Sequence, residues 1–138
     1  MEPKTVLFVD DEINILKSIK RITFNQPFKS LFANSGAEAL EIADKNSDIT
    51  VLITDMRMPK MTGLELLKEF KGKHPKAVRI VLSGYSHITT LLTAINQGEI
   101  FRYILKPWEN DAELLDAINA AFEHYEEAEK AVAAEAGN

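Results

Sequence analysis

Asp10 and Asp11 follow directly on the apolar run Val6-Leu7-Phe8-Val9, and Asp55 closes a second run, Val51-Leu52-Ile53-Thr54. If these runs are neighbouring parallel strands, the three carboxylates meet at one sheet edge. Grouped acids repel, and each has its pKa raised unless a cation offsets the charge. An all-oxygen, all-anionic set of this kind suits a hard divalent metal, Mg²⁺ first and Mn²⁺ as its substitute.

Two further strands end in groups that extend this chemistry. Ser83 follows Val78–Leu82, and Lys106 follows Phe101–Leu105. Each group alone has an ordinary reading: Asp10 and Asp11 as helix caps, Asp55 or Ser83 as a turn cap, Lys106 as a solvated charge. Gathered at the carboxyl ends of strands, where open α/β sheets collect their functional groups, they describe phosphoryl transfer to a carboxylate. Asp55 is then the nucleophile that becomes an acyl phosphate. The metal on Asp10, Asp11 and Asp55 offsets charge, Lys106 supplies a compact cation, and the Ser83 hydroxyl donates to a phosphoryl oxygen. Gly84 leaves room for the incoming group.

The elements that must position these groups alternate between short β-branched runs and helical patterns, which predicts an α/β fold with a parallel sheet. Strands are expected at Thr5–Val9, Phe28–Ala33, Ile49–Ile53, Val78–Leu82 and Phe101–Leu105. Helices are expected around Ile15, Ile19 and Ile22; after the capping-box pattern Ser35-Gly36-Ala37-Glu38; over Gly63–Lys73; and over Thr89–Asn96. The pattern is (βα)₅. The last helix runs from about Asp111 to Ala134, with Leu115, Ile118, Phe122, Tyr125 and Val132 at three-four spacing and Glu129 breaking the seam. It divides the chain into a domain over 1–125 and a helical extension over 126–138, either a fraying end or the start of a linker.

The 138 residues suffice for one domain with one good core. No apolar run could cross a bilayer, no signal segment precedes the first strand, and cysteine is absent, so a cytoplasmic protein is the simplest expectation. A net charge of −5 without a Lys/Arg cluster argues against direct nucleic-acid binding. His74, His87 and His124 lack ligand spacing and read as solvated side chains.

With the Asp-Asp pair, Asp-Met-Arg-Met-Pro-Lys-Met-Thr-Gly, and Lys106-Pro107, the chain resembles the receiver domain of two-component response regulators over about residues 5–125. Spacing carries the likeness: 44 residues from Asp11 to Asp55, 28 on to Ser83 and 23 on to Lys106. The resemblance implies a doubly wound sheet in the order 2-1-3-4-5. It also implies Asp55 as phosphoacceptor, Asp10, Asp11 and the Arg57 backbone carbonyl on the metal, Ser83 and Tyr103 as the switch pair, and a cis bond at Lys106-Pro107. A sensor histidine kinase or phosphotransfer protein is the implied donor, and a phosphorylation-dependent homodimer an implied outcome. Self-catalysed phosphorylation and dephosphorylation are the only expected reactions. Phosphorylation should draw Ser83 inward, free space for Tyr103 and change the surface of the fourth helix, fifth strand and fifth helix. The segment Gly98–Trp108 resembles receivers attached to HD-GYP phosphodiesterase or kinase output domains.

Arg57 and Tyr85, bulky and two residues after Asp55 and Ser83, are expected to slow attack by water. A haloacid-dehalogenase-type hydrolase needs an acid where Arg57 stands. A flavodoxin-like flavin binder needs a Ser/Thr/Gly-rich loop after the first strand. The remaining alternative is a receiver fold that serves as a docking module without being phosphorylated.

Overall fold

A computed structural model describes residues 4–84 and 88–136. Tyr85 and His87 therefore lie outside the described residues. Five strands, β1 (Thr5–Val9), β2 (Lys29–Ala33), β3 (Ile49–Asp55), β4 (Val78–Ser83) and β5 (Arg102–Leu105), alternate with five helices. These are α1 (Ile13–Thr23), α2 (Gly36–Lys45), α3 (Gly63–Lys73), α4 (Ile88–Asn96) and α5 (Asp111–Ala136). The strands pair in parallel in the order β2-β1-β3-β4-β5, as the resemblance implied.

Side chains alternate between the two faces, as the period of two requires. Leu7, Val9, Leu52 and Val81 pack with α2, α3 and α4 through Ala39, Ala43, Leu66, Phe70 and Leu91. Val6, Phe8, Ile53 and Leu82 pack on α1 and α5 through Ile19, Leu114 and Ile118. All seven residues of β3 are buried, which is why Ile49–Ile53 is apolar but for Thr50.

Register fixes the functional edge. Val9 pairs with Thr54, which sets Asp10 level with Asp55. Asp55 pairs with Leu82, which brings Ser83 to the same end. Ser83 pairs with Leu105, so Lys106 is the next residue out.

Several local expectations are corrected. Ser35 caps α2 by accepting from Glu38 N, but the Glu38 carboxylate returns to Asn34 N rather than to Ser35. The complete capping box is at α3, between Thr62 and Glu65. Along α5 the deep positions are Leu114, Ala117, Ile118 and Ala121, while Leu115 is half-buried and Val132 exposed. His74 is no solvated side chain: it stacks on Phe70 and bonds through Nε2 to the Ala43 carbonyl oxygen at 2.8 Å. The exposed His124 stacks on Phe101.

Beyond Phe122, α5 continues without a break. Glu126 pairs with Lys4 at 3.4 Å, and Glu129 pairs with Lys76 at 3.5 Å, so the residue that interrupts the apolar seam ties the helix to the body. Leu114→Ala should cost about 3 kcal/mol and Leu115→Ala about 1 kcal/mol. Urea unfolding of the two variants measures this, and equal losses would place the helix in a different rotation about its axis.

Candidate functional site

Asp10 is fully buried and both its oxygens are engaged. Oδ1 accepts from Glu12 N at 2.9 Å, and Oδ2 accepts from Lys106 Nζ at 2.9 Å. Asp55, 6% exposed, takes Met56 N at 3.0 Å and Lys106 Nζ at 3.1 Å, both on Oδ1. The Lys106 ammonium thus bridges the two buried acids, with Glu12 Oε1 a further 3.8 Å contact. Asp11 is exposed. Among the described residues, neither the Asp11 carboxylate nor Asp55 Oδ2 receives a hydrogen bond.

Burial pushes the Asp55 pKa up to about 6, and the neighbouring Asp10 charge adds to that rise. Lys106 opposes it but does not cancel it. Burial alone would depress the Lys106 ammonium, yet its bonds to Asp10 and Asp55 and their charges outweigh burial and raise it. The lysine therefore stays protonated at neutral pH, which the bridge requires.

Asp10, Asp11 and Asp55 each offer an oxygen within 4.8 Å of the others. That spread is close to the roughly 4 Å between opposite ligands of an octahedral Mg²⁺, whose metal–oxygen distance is about 2.1 Å. An oxygen-only set with an excess of negative charge fits a hard divalent cation. The surrounding cleft, about 330 Å³, is lined by Asp11, Glu12, Asp55, Met56, Arg57, Ser83, Gly84 and Lys106. Ser83 is buried and its Oγ donates to the Gly84 carbonyl at 3.1 Å. Arg57 is exposed at the cleft. Tyr103 lies outside the cleft, half-buried on β5 and packed at the edge of the cluster beneath α4. The Lys106-Pro107 peptide is cis.

The sequence reading missed what holds the β3–α3 connection. Lys60 adopts a left-handed φ of 69°, and Met61 N donates to the Pro59 carbonyl at 2.7 Å, closing a γ-turn. Gly63 N then donates to Met56 O at 2.9 Å. A Cβ on Gly63 would lie 2.2 Å from the Asp55 carbonyl oxygen, so only glycine lets α3 begin against the backbone of Asp55. The Thr62-x-x-Glu65 box was the available signal for this start.

A five-stranded sheet in this order, with an acidic cluster and a bridging lysine at its carboxyl edge, defines the class, a doubly wound flavodoxin-like α/β fold. The response regulator receiver domain model matches residues 6–119, and the chain belongs to that family. It is 39% identical to the hydrogenase transcriptional regulatory protein HoxA of Cupriavidus necator, over 86% of this chain and 24% of that protein. A solved structure titled adenylate cyclase from Rhodopirellula baltica is 30% identical with a TM-score of 0.91, covering 99% of this chain and all of that one. The signal receiver domain of an HD domain-containing protein from Pseudomonas fluorescens is 32% identical with a TM-score of 0.83, covering 91% and 99%. The chain spans about a quarter of the length of the curated relatives it matches.

The raised Asp55 pKa makes a pH prediction for the metal-free protein. A carboxylate whose folded pKa exceeds its unfolded value lowers stability above the folded value, and the loss fades as pH falls. A rise from the ordinary value to about 6 corresponds to about 3 kcal/mol. Asp55→Asn should therefore be more stable than the parent at about pH 8 by roughly 2–3 kcal/mol, and no more stable near pH 4. Adding Mg²⁺ should narrow the gap at the higher pH by stabilising the parent. Thermal denaturation across pH checks this, and a gap independent of pH would contradict it.

Proposed function

We propose that the chain is the phosphoacceptor of a two-component phosphorelay, with Asp55 taking a phosphoryl group from a phosphohistidine of a sensor kinase or phosphotransfer protein. The observation that carries the reading is the Lys106 bridge between Asp10 and Asp55 at the mouth of one cleft. Met56 N and Lys106 hold Oδ1, which leaves Oδ2 to attack phosphorus. In the metal-free protein burial raises the Asp55 pKa to about 6, so the carboxylate is mostly ionised at neutral pH, and a bound divalent cation would keep it so, ready to attack.

The new P–O bond forms on Oδ2 as the donor's P–N bond breaks, and the electron pair leaves with the imidazole nitrogen, which takes a proton. Asp11 and Asp55, with Asp10 and the Arg57 carbonyl, would hold Mg²⁺ or Mn²⁺, which offsets charge on the carboxylates and phosphoryl oxygens. Lys106 turns from Asp55 Oδ1 to a phosphoryl oxygen, and the Ser83 hydroxyl turns from Gly84 O to another. That inward turn gives Tyr103 room to move beneath α4 and changes the α4–β5–α5 surface.

The chain itself is a signalling module and turns over no separate substrate. The curated relatives are far longer than the matched segment, and the similar proteins differ in kind: a transcriptional regulator, an adenylate cyclase and an HD-domain protein. We take residues 1–125 as the receiver and 126–138 as an extension that leads toward an output segment, with the HD-GYP type favoured by the HD-domain neighbour. Among the described residues no helix is long and apolar enough to cross a membrane. A cytoplasmic setting follows from the phosphorelay role.

Incubation with acetyl phosphate and Mg²⁺ should add one phosphoryl group to the parent by intact mass and none to Asp55→Ala. Failure of acetyl phosphate, of a phosphohistidine donor and of beryllofluoride to modify or bind the parent would leave the docking-module alternative. Arg57, exposed at the cleft, is proposed to retard water, so Arg57→Ala should shorten the phosphoryl lifetime about twofold or more. An unchanged lifetime removes Arg57 from that role.

A further inference from the structure

Helix α3 divides its charges between its sides. Lys68 and Lys71 share with Leu64 and Leu67 the side toward α4, while Glu65 and Glu69 lie off it. Lys73 turns the other way, to Asp44 of α2. Helix α4 carries no charged residue over Ile88–Asn96. Although α2 packs closely on α3, α3 and α4 stand apart, and a groove of about 620 Å³ opens between them. That is the size of a small-molecule site.

The floor of this groove is apolar, with Leu67 and Ala94 buried and Leu64 half-buried. One wall is cationic. Lys68 and Lys71 are exposed and one turn apart, about 5–6 Å between Cβ atoms, so their ammonium groups can close on a single anion. Among the described residues neither forms an ion pair. The other wall is neutral and polar, made by Thr89, Thr90, Thr93 and Gln97. Thr93 Oγ1 donates to the Thr89 carbonyl at 3.1 Å, which leaves its oxygen able to accept. Glu99 is the one acid of the lining, and its charge acts on Arg79, whose Nε donates to the Glu99 carbonyl at 2.9 Å. The two lysines are therefore left to a ligand.

We infer that the groove between α3 and α4 binds a nucleoside monophosphate. Lys68 and Lys71 hold the phosphate, which carries nearly two negative charges at neutral pH. The base lies flat on Leu64, Leu67 and Ala94. The threonine hydroxyls and the Gln97 amide both donate and accept, as the edge of a base and a sugar require. Each part of the groove speaks against a simpler occupant. Inorganic phosphate would leave the apolar floor in water, and a fatty acid would leave the hydroxyl and amide wall without use. A long polyanion is disfavoured by the net charge of −5. The groove shares no residue with the acidic cleft, so binding here depends neither on Asp55 nor on a metal.

Amide chemical shifts of the full chain, titrated with AMP and with GMP, test this. EDTA is present throughout, so that no metal draws phosphate to the acidic cleft. Saturable shifts are expected over 64–71 and 89–97, with a Kd of about 1 mM or lower for at least one of the two. Adenosine alone and inorganic phosphate alone should each bind about tenfold more weakly, or worse, because each fills half of the groove. Lys68→Gln with Lys71→Gln, both on the exposed surface, should weaken nucleotide binding about tenfold or more and leave the remaining spectrum in place. No shift with either nucleotide at about 5 mM overturns the inference. Shifts centred elsewhere on the molecule, or unchanged by the double substitution, overturn it too. Inorganic phosphate binding as tightly as the nucleotides would reduce the two lysines to a site for an adventitious ion only.

Discussion

One ammonium group holds the carboxyl edge of the sheet together. Asp10 is entirely buried and Asp55 nearly so, and their charges face each other across neighbouring strands. Leaving either acid charged and unpaired in that setting would cost several kcal/mol. Lys106 answers both at once, at 2.9 and 3.1 Å, and keeps its proton because the two acids raise its pKa against burial. The compensation is incomplete, since Asp55 remains displaced upward to about 6. Burial is the larger cause of that rise and the Asp10 charge the smaller, and together they make the cleft receptive to a cation.

The backbone around this bridge is built to hold it in place. Parallel register aligns four strand ends, and one pair slipped by a residue would turn an acid to the opposite face. The loop after Asp55 is clamped from both sides, by the γ-turn at Lys60 and by the close approach of Gly63 to the Asp55 carbonyl. The Thr62–Glu65 box then starts α3 on a defined residue. A nucleophile on a rigid mount keeps its attack direction, which is worth more to a transfer reaction than loop mobility.

What the sequence disclosed follows from how local each signal is. Strands stood out because fully covered parallel strands are continuous apolar runs, and Asp10, Asp55, Ser83 and Lys106 stood out because each interrupts such a run at its end. Strand order came from the family resemblance, since periodicity alone does not order strands. The buried face of α5 was displaced because Leu114 and Leu115 are both leucine, and only the packed sheet decides which of two adjacent leucines is deep. His74 was misjudged for a related reason. Its partner, the Ala43 carbonyl, is 31 residues away in the chain, beyond any local pattern. The α3 capping box was legible and overlooked.

The same bridge constrains how the proposed phosphorylation would be felt elsewhere. A phosphoryl group on Asp55 replaces one negative charge with more, and Lys106 cannot serve it fully while also holding Asp10 Oδ2. When the ammonium turns toward phosphate, Asp10 keeps only the amide of Glu12, the residue just before α1. Buried acids tolerate such a loss only if another positive charge arrives, so cation binding and movement of Lys106 are coupled through Asp10. Lys106 sits one residue beyond β5, and its N–H donates to the Ser83 carbonyl at 2.8 Å. Any displacement of its side chain therefore acts on the strand pair that carries Ser83 and Tyr103. On this reading the cleft reaches the β4–β5 surface through a single lysine whose partners compete for one charge.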